Sequence, residues 1–304
     1  MSIKNLACIA ALLFSQLPGR AQNDSLLHLL NDSLASSGTS SYVTGTFKAT
    51  HVINMQTIEA PAAGALNVMI QHRFGQLNSG SYNFFGLDNA SLRLGLDYGI
   101  SNRLAIGIGR SSNQKTFDGY LKYKLLRQTE GAHIIPVSIS LLGTISNYTQ
   151  HYTDKPFLNA GYRTSYSTQL LIARKLSSHL SVQLTPTYLH FNLVPTVKDK
   201  NDVFAIAGGA RLRITNRMSI NAEYNYLLPD QLVSLDLRNS FSLGWDIETG
   251  GHVFQLVFSN SQGMIESQYI GQTTGRWSKG DIYFGFNISR NFNLGKKAKR
   301  NSGG

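Results

Sequence analysis

From residue 65 to residue 292 the chain alternates apolar and polar positions with a period of two. In 91–98 (SLRLGLDY), Leu92, Leu94, Leu96 and Tyr98 share one face, and Arg93, Gly95 and Asp97 share the other. Successive side chains of a strand point to opposite faces, so each such run separates an apolar face from a polar or small one. The pattern recurs in RLAIGIG (103–109), SFSLGWDIE (240–248) and DIYFGFNIS (281–289). It predicts about twelve strands, near 65–74, 91–100, 103–112, 117–127, 133–146, 163–176, 180–190, 203–214, 218–228, 239–248, 252–260 and 281–292. Strands of soluble proteins cluster near about 5–6 residues, whereas a tilted membrane strand needs about 9–11. The predicted lengths favour the membrane.

The connections sharpen this reading. Short links at 101–102, 177–178, 215–216 and 249–251, with a slightly longer one at 128–132, alternate with long ones around 75–90, 147–162, 191–202, 229–238 and 261–280. Only the link at 113–116 is short where a long one is due. Transmembrane barrels have short periplasmic turns and longer extracellular loops. The fold class expected is therefore all-β: an antiparallel transmembrane β-barrel of about twelve strands with both ends in the periplasm. Three of the short links are variants of one phrase, ISNRL (100–104), LSSHL (176–180) and ITNRM (214–218), read as a repeated hairpin turn. Aromatics near strand ends on the apolar face, among them Phe74, Tyr98, Phe117, Tyr166, Tyr188, Tyr226, Trp245, Phe254 and Phe292, fit the girdles of such barrels.

The flanks supply the setting. Lys4, an apolar run over 6–17 and small residues at 19 and 21 predict a secretory signal peptide over 1–21. Residues 22–41 read as a polar leader, 42–64 as a separate N-terminal segment, 65–292 as the barrel and 293–304 as a basic periplasmic tail. The single cysteine, Cys8, falls inside the signal, so disulfides, thiol catalysis and cysteine ligands are excluded from the mature chain. The net charge is +11, which with export points to an anionic envelope rather than to nucleic acid.

The wording of 46–59 (TFKATHVINMQTIE), 70–112, 118–128 and 245–261 (WDIETGGHVFQLVFSNS) resembles a Bacteroidota family of outer-membrane β-barrels with a domain of unknown function. The resemblance implies an outer-membrane location. It carries over no catalytic or ligand residues.

If the apolar face meets lipid, Arg93, Asp97, Asp118, Lys122, Lys124, Arg163, Arg211, Arg213, Glu223, Asp246 and Glu248 line the lumen. Rings of charge bias ion passage, so a passive channel for small solutes with mild anion preference is one reading. A closed structural or partner-binding barrel is the alternative, because confined charges of both signs also pair with each other. Small residues at Gly95, Ala105, Gly107, Gly109, Ala205, Ala207 and Gly209 leave room for solute or for an inward-folded segment. The segment 42–60 is the candidate for the latter, expected in or under the barrel, with a periplasmic hairpin or two extra strands as other readings. No catalytic signature, phosphate loop or metal-ligand spacing occurs, so no cofactor or metal is expected. An embedded phospholipase would need a Ser and a His brought together across strands. The expected partners are outer-membrane lipid and lipopolysaccharide and the barrel-insertion machinery. No nucleic acid is expected, and the sequence leaves the oligomeric state open.

Overall fold

Each long strand pairs antiparallel with the next, and the last returns to pair with the first. A computed structural model describes residues 39–294. The twelve long strands are β2 (Ala65–Gln76), β3 (Ala90–Gly99), β4 (Leu104–Ser111), β5 (Thr116–Leu126), β7 (Ser138–Tyr148), β8 (Thr164–Lys175), β9 (Leu180–Phe191), β10 (Asp202–Arg213), β11 (Met218–Leu227), β12 (Ser240–Thr249), β13 (His252–Ser259) and β14 (Tyr283–Asn293). Closure runs from Asn293 opposite Ala65 to Tyr283 opposite Gln76, and the twelve strands form a closed barrel. No sheet edge is left open in the wall. Two short strands, β1 (Ser40–Tyr42) and β6 (Thr129–Gly131), form a separate ribbon. The expected signal peptide, most of the leader and the basic tail from 295 onward lie outside the described residues.

The burial pattern is inverted relative to a soluble sheet. Along β3, Leu94 is 49% exposed while its neighbour Arg93 is 4% exposed. Leu92, Leu96 and Tyr98 also face out, and Ser91 and Asp97 face in. The same holds around the wall, with Ile106, Ile108, Leu121, Phe204, Ile220, Trp245, Leu256 and Phe258 exposed. An apolar exterior around a polar interior suits hydrocarbon outside, where every backbone group must already be bonded within the wall. Among the described residues, no helix is long and apolar enough to cross a membrane.

The repeated phrase forms the same turn three times. Ser101 Oγ accepts the N–H groups of Arg103 and Leu104 at 3.2 and 3.1 Å. Ser177 Oγ accepts those of His179 and Leu180 at 3.2 and 3.1 Å. Thr215 Oγ1 accepts that of Arg217 at 3.2 Å. The hydroxyl thus substitutes for strand partners at the reversal. The slightly longer link on this side, between β5 and β7, departs from expectation. The strand expected over 133–146 begins only at Ser138, because Thr129–Gly131 pairs with Ser40–Tyr42 and holds the preceding chain as a wide turn. Thr129 Oγ1 donates to the carbonyl of His133 and accepts the N–H of Ile135, fixing that turn.

Candidate functional site: a lumen filled from both ends

The inward wall is built from amides, hydroxyls and a few charges, and two chain segments fill the space it encloses. The first enters from the side where β2 begins. Residues 50–57 fold back on themselves, with Thr57 N–H on Thr50 O and Val52 N–H on Met55 O, both at 2.9 Å. Ile53 and Asn54 form the tip. Phe47, Val52, Ile53, Met55 and Ile58 are buried and pack with Ala205, Ala207, Leu171 and Val257 of the wall.

Glu223 on β11 anchors the tip. Its carboxylate accepts the backbone N–H groups of Ile53 at 3.1 Å, Asn54 at 2.9 Å and Met55 at 3.0 Å. Consecutive N–H groups converging in a turn form a natural anion seat, and here the anion belongs to the wall. The tip carbonyl of Ile53 accepts from Asn287 Nδ2 at 2.9 Å and from Gln71 Nε2 at 3.3 Å. Arg73 donates to the Asn54 side chain at 2.8 Å. Gln183 holds both edges of the returning arm, accepting from Ile58 N–H at 2.9 Å and donating to Gln56 O at 2.7 Å. Lys122 donates to the carbonyls of Thr57 and Glu59, each at 2.9 Å. Thr50 donates to Asp97 at 3.0 Å, Gln255 donates to Val52 O at 2.8 Å, and Lys48 pairs with Glu248 at 2.6 Å. Wall strands on opposite sides of the barrel therefore bond one hairpin.

The second segment descends from the opposite mouth. The connection between β13 and β14 turns inward over 261–273, with Met264, Ile265, Tyr269 and Ile270 buried around a single helical turn, Glu266–Tyr269. Ser267 bonds Ser146 at 3.1 Å and Gln268 donates to Thr116 at 3.2 Å. The two segments meet in mid-barrel, where His51, Asn54, Met264, Ile265 and Glu266 enclose, with Arg93 and Asp118, a void of about 10 Å³. That is room for about one water.

Of the charged residues read as lumenal, Arg93, Asp97, Asp118, Lys122, Arg211, Glu223 and Asp246 point inward, and the hairpin or its neighbours occupy them. Arg93 and Asp118 form a two-pronged ion pair, Nε to Oδ1 at 3.0 Å and Nη2 to Oδ2. Arg211 pairs with Glu248 at 3.4 Å and sits by Ser219, which donates to Asp246 at 3.1 Å. Lys124 and Arg213 stand at the mouth through which the hairpin enters, half-buried. Arg163 departs from expectation: it precedes the first residue of β8 and lies at the far rim, donating to Gln150 O at 2.9 Å. The strand starts one residue later than its alternation implied, which leaves this side chain above the wall.

The small residues divide in two. Ala205, Ala207 and Gly209 make room for the hairpin, and a Cβ at Gly209 would lie 3.1 Å from Val52. Gly95, Gly107 and Gly109 are instead roofed by the wall's own Arg93, Tyr120 and Asp118. The amides that hold the hairpin, Gln71, Gln183, Gln255 and Asn287, carry no charge or motif to single them out, and Arg73, though charged, was not among the residues expected in the lumen. Their inward parity on the predicted strands was the available signal. A cross-strand serine–histidine pair is not what the described residues form: Ser178 and His179, bonded at 2.9 Å, are chain neighbours in an exposed turn. Among the described residues no group of three or more His, Cys, Asp or Glu converges as metal ligands.

Comparison with known proteins agrees with this architecture. No curated protein matches the chain. Among solved structures, it is similar to the KdgM porin in complex with disordered oligogalacturonate, at 9% identity and a TM-score of 0.47, covering 74% of this chain and 99% of that one. It is also similar to the COG4313 outer membrane channel from Pseudomonas putida F1, at 14% identity and a TM-score of 0.43, covering 77% and 97%. The fold assignment rests on the strand pairing rather than on these likenesses. Residues 47–292 match the family described as membrane bound beta barrel domain (DUF5777). That span takes in the hairpin as well as all twelve wall strands, so the hairpin is as much a part of the family's domain as the wall. An apolar exterior, a closed wall of even strand number and this match place the chain in the outer membrane, as a member of the membrane-bound β-barrel domain family DUF5777.

Proposed function

We propose that this protein is an outer-membrane channel held shut by its own N-terminal hairpin, which passes small solutes with a mild preference for anions when the hairpin withdraws. The seat of the hairpin tip on Glu223 carries the reading. A purely structural filling would favour apolar packing against the wall, since burying polar groups costs free energy unless every one is bonded. Here apolar packing is joined by a polar anchorage of side-chain amides and charges, and water can replace each of these bonds as the hairpin leaves. The wall left behind is polar. Arg73, Arg93, Lys122, Lys124, Arg211 and Arg213 slightly outnumber Asp97, Asp118, Glu223, Asp246 and Glu248, which biases passage toward anions.

Planar-bilayer recording tests the proposal. The full chain is expected to be silent apart from rare openings. A chain lacking residues 46–58, shown to be folded by its heat-dependent gel migration, is expected to give unitary currents with a reversal potential shifted toward the anion. Silence in both would refute the gated channel. It would leave the closed structural or partner-binding barrel, which the second, inward-folded segment favours by filling part of the lumen from the other mouth.

A further inference from the structure

Outside the sealed lumen, the mouth opposite the hairpin holds a cavity of about 440 Å³ that the gating reading does not use. The loops after β7 and β9 form its walls, and Ser267, Gly271 and Gln272 of the inward segment form its floor. We propose that this vestibule binds a small carboxylate carried on a single six-membered ring. The proposal rests on these loops and does not depend on whether the hairpin gates the lumen.

Size comes first. Sites for small organic ligands enclose about 300–1,000 Å³, and the vestibule falls in that range. Its charge is one-sided. Lys155 and Arg163 line it, and no Asp or Glu does. Neither cation has a carboxylate partner within salt-bridge distance among the described residues, whereas Arg93, Arg211, Arg238 and Arg276 each have one. Asp154 adjoins Lys155 in sequence but does not line the cavity. Arg163 spends one donor on Gln150 O, and its buried Nε has no acceptor. A guanidinium carries five N–H donors, so this one retains capacity for a planar carboxylate.

The cavity also offers flat apolar faces. Tyr148, Tyr152, Phe157 and Tyr162 line it, with Arg163 5.8 Å over the ring of Tyr148 and Lys155 5.5 Å over that of Tyr152. The two tyrosines meet edge to face with centroids 6.4 Å apart. Cations parked on aromatic faces place positive charge beside a stacking surface. A ligand with an anionic head and one six-membered ring satisfies both at once: the carboxylate meets the Arg and Lys, and a face of the ring lies on the tyrosines. An inorganic anion would leave the aromatic faces uncovered, and a neutral ring would leave the cations unanswered. The ring is either aromatic or a pyranose, whose C–H face stacks in the same way.

Isothermal titration of the full chain in detergent decides it, with 4-hydroxybenzoate and glucuronate as probes and benzyl alcohol and glucose as neutral controls. Saturable binding of at least one carboxylate is expected, and the one that binds identifies the ring. The matched neutral control is expected to bind at least tenfold more weakly. Arg163→Gln and Lys155→Gln, each checked for the heat-dependent migration of a folded barrel, are expected to weaken carboxylate binding at least tenfold. The Lys155 side chain is solvent-exposed on a loop, so its variant leaves the wall intact. The proposal is overturned if neither carboxylate saturates, if the neutral control binds equally well, or if both folded variants bind as the parent does.

Discussion

If the hairpin gates the lumen, Glu223 is the side chain that holds it closed. A carboxylate that accepts three backbone N–H groups makes charge-assisted bonds, each worth about 1.5–3 kcal/mol in favourable settings. Glu223→Ala removes the acceptor and leaves the N–H groups of Ile53, Asn54 and Met55 to find water. The open fraction in single-channel recording is expected to rise at least tenfold, which corresponds to about 1.4 kcal/mol. Glu223→Gln keeps one carbonyl acceptor and is expected to fall between parent and Ala. An unchanged open fraction in the alanine variant would show that the tip is not the latch. Smaller effects are expected at the repeated turns. Ser101→Ala and Ser177→Ala each lose a hydroxyl that accepts two N–H groups. Equilibrium unfolding in urea is expected to show a loss of about 0.5–1.5 kcal/mol for each, with no change in conductance.

At the scale of elements, the loops facing outward are tied to each other and not only to the wall. Asp199, between β9 and β10, accepts from the backbone N–H and hydroxyl of Thr196 at 3.0 and 2.8 Å. It also accepts from the N–H and hydroxyl of Ser234, between β11 and β12, at 2.9 and 2.5 Å. Desolvation raises the Asp199 carboxyl, but these donors outweigh it and hold the group down at about 2. A depressed acid stabilises the folded loop above its unfolded value, near the usual 3.8, and that support disappears as pH falls toward 2. Amide exchange in 192–201 and 228–239 is therefore expected to be flat from pH 7 to about 4, after correction for intrinsic rates, and to accelerate below it. In Asp199→Asn the same amides should exchange faster already at pH 7, and the acid step should vanish.

Which elements could be read from the chain follows from what each one needs. Lipid imposes a period of two and a minimum length on every wall strand, so all twelve were legible and most ends fall within two residues. The start of β7 was not, because its boundary depends on β1 pairing with β6, a contact between segments remote in sequence. The hairpin was legible only as a candidate. Its own residues make few bonds to each other, and its place is set by Glu223 and Asn287, far along the chain. The inward segment over 261–273 read as an ordinary loop. Met264, Ile265, Tyr269 and Ile270 were the hint, being more apolar than solvent would favour.

On the scale of the whole molecule, the barrel holds two inward-folded segments, entering from opposite mouths and meeting near Arg93 and Asp118. The hairpin is pinned at both of its ends on one rim. Ahead of it, Ser40–Tyr42 is paired with Thr129–Gly131. Behind it, Gly64 N–H bonds Gly99 O at 2.8 Å, and its carbonyl accepts Leu294 N–H at 3.0 Å. A hairpin drawn out of the lumen thus becomes a loop hung from two fixed points, with the segment 60–64 reaching no more than about 18 Å. Its local concentration at its own seat remains in the millimolar range, as for any short flexible tether. Reclosure is then a first-order event whose rate is the same however dilute the protein. A free peptide of sequence 46–58, added at micromolar concentration to the parent channel, is expected to leave closed times unchanged, since it competes against a tethered copy at far higher effective concentration.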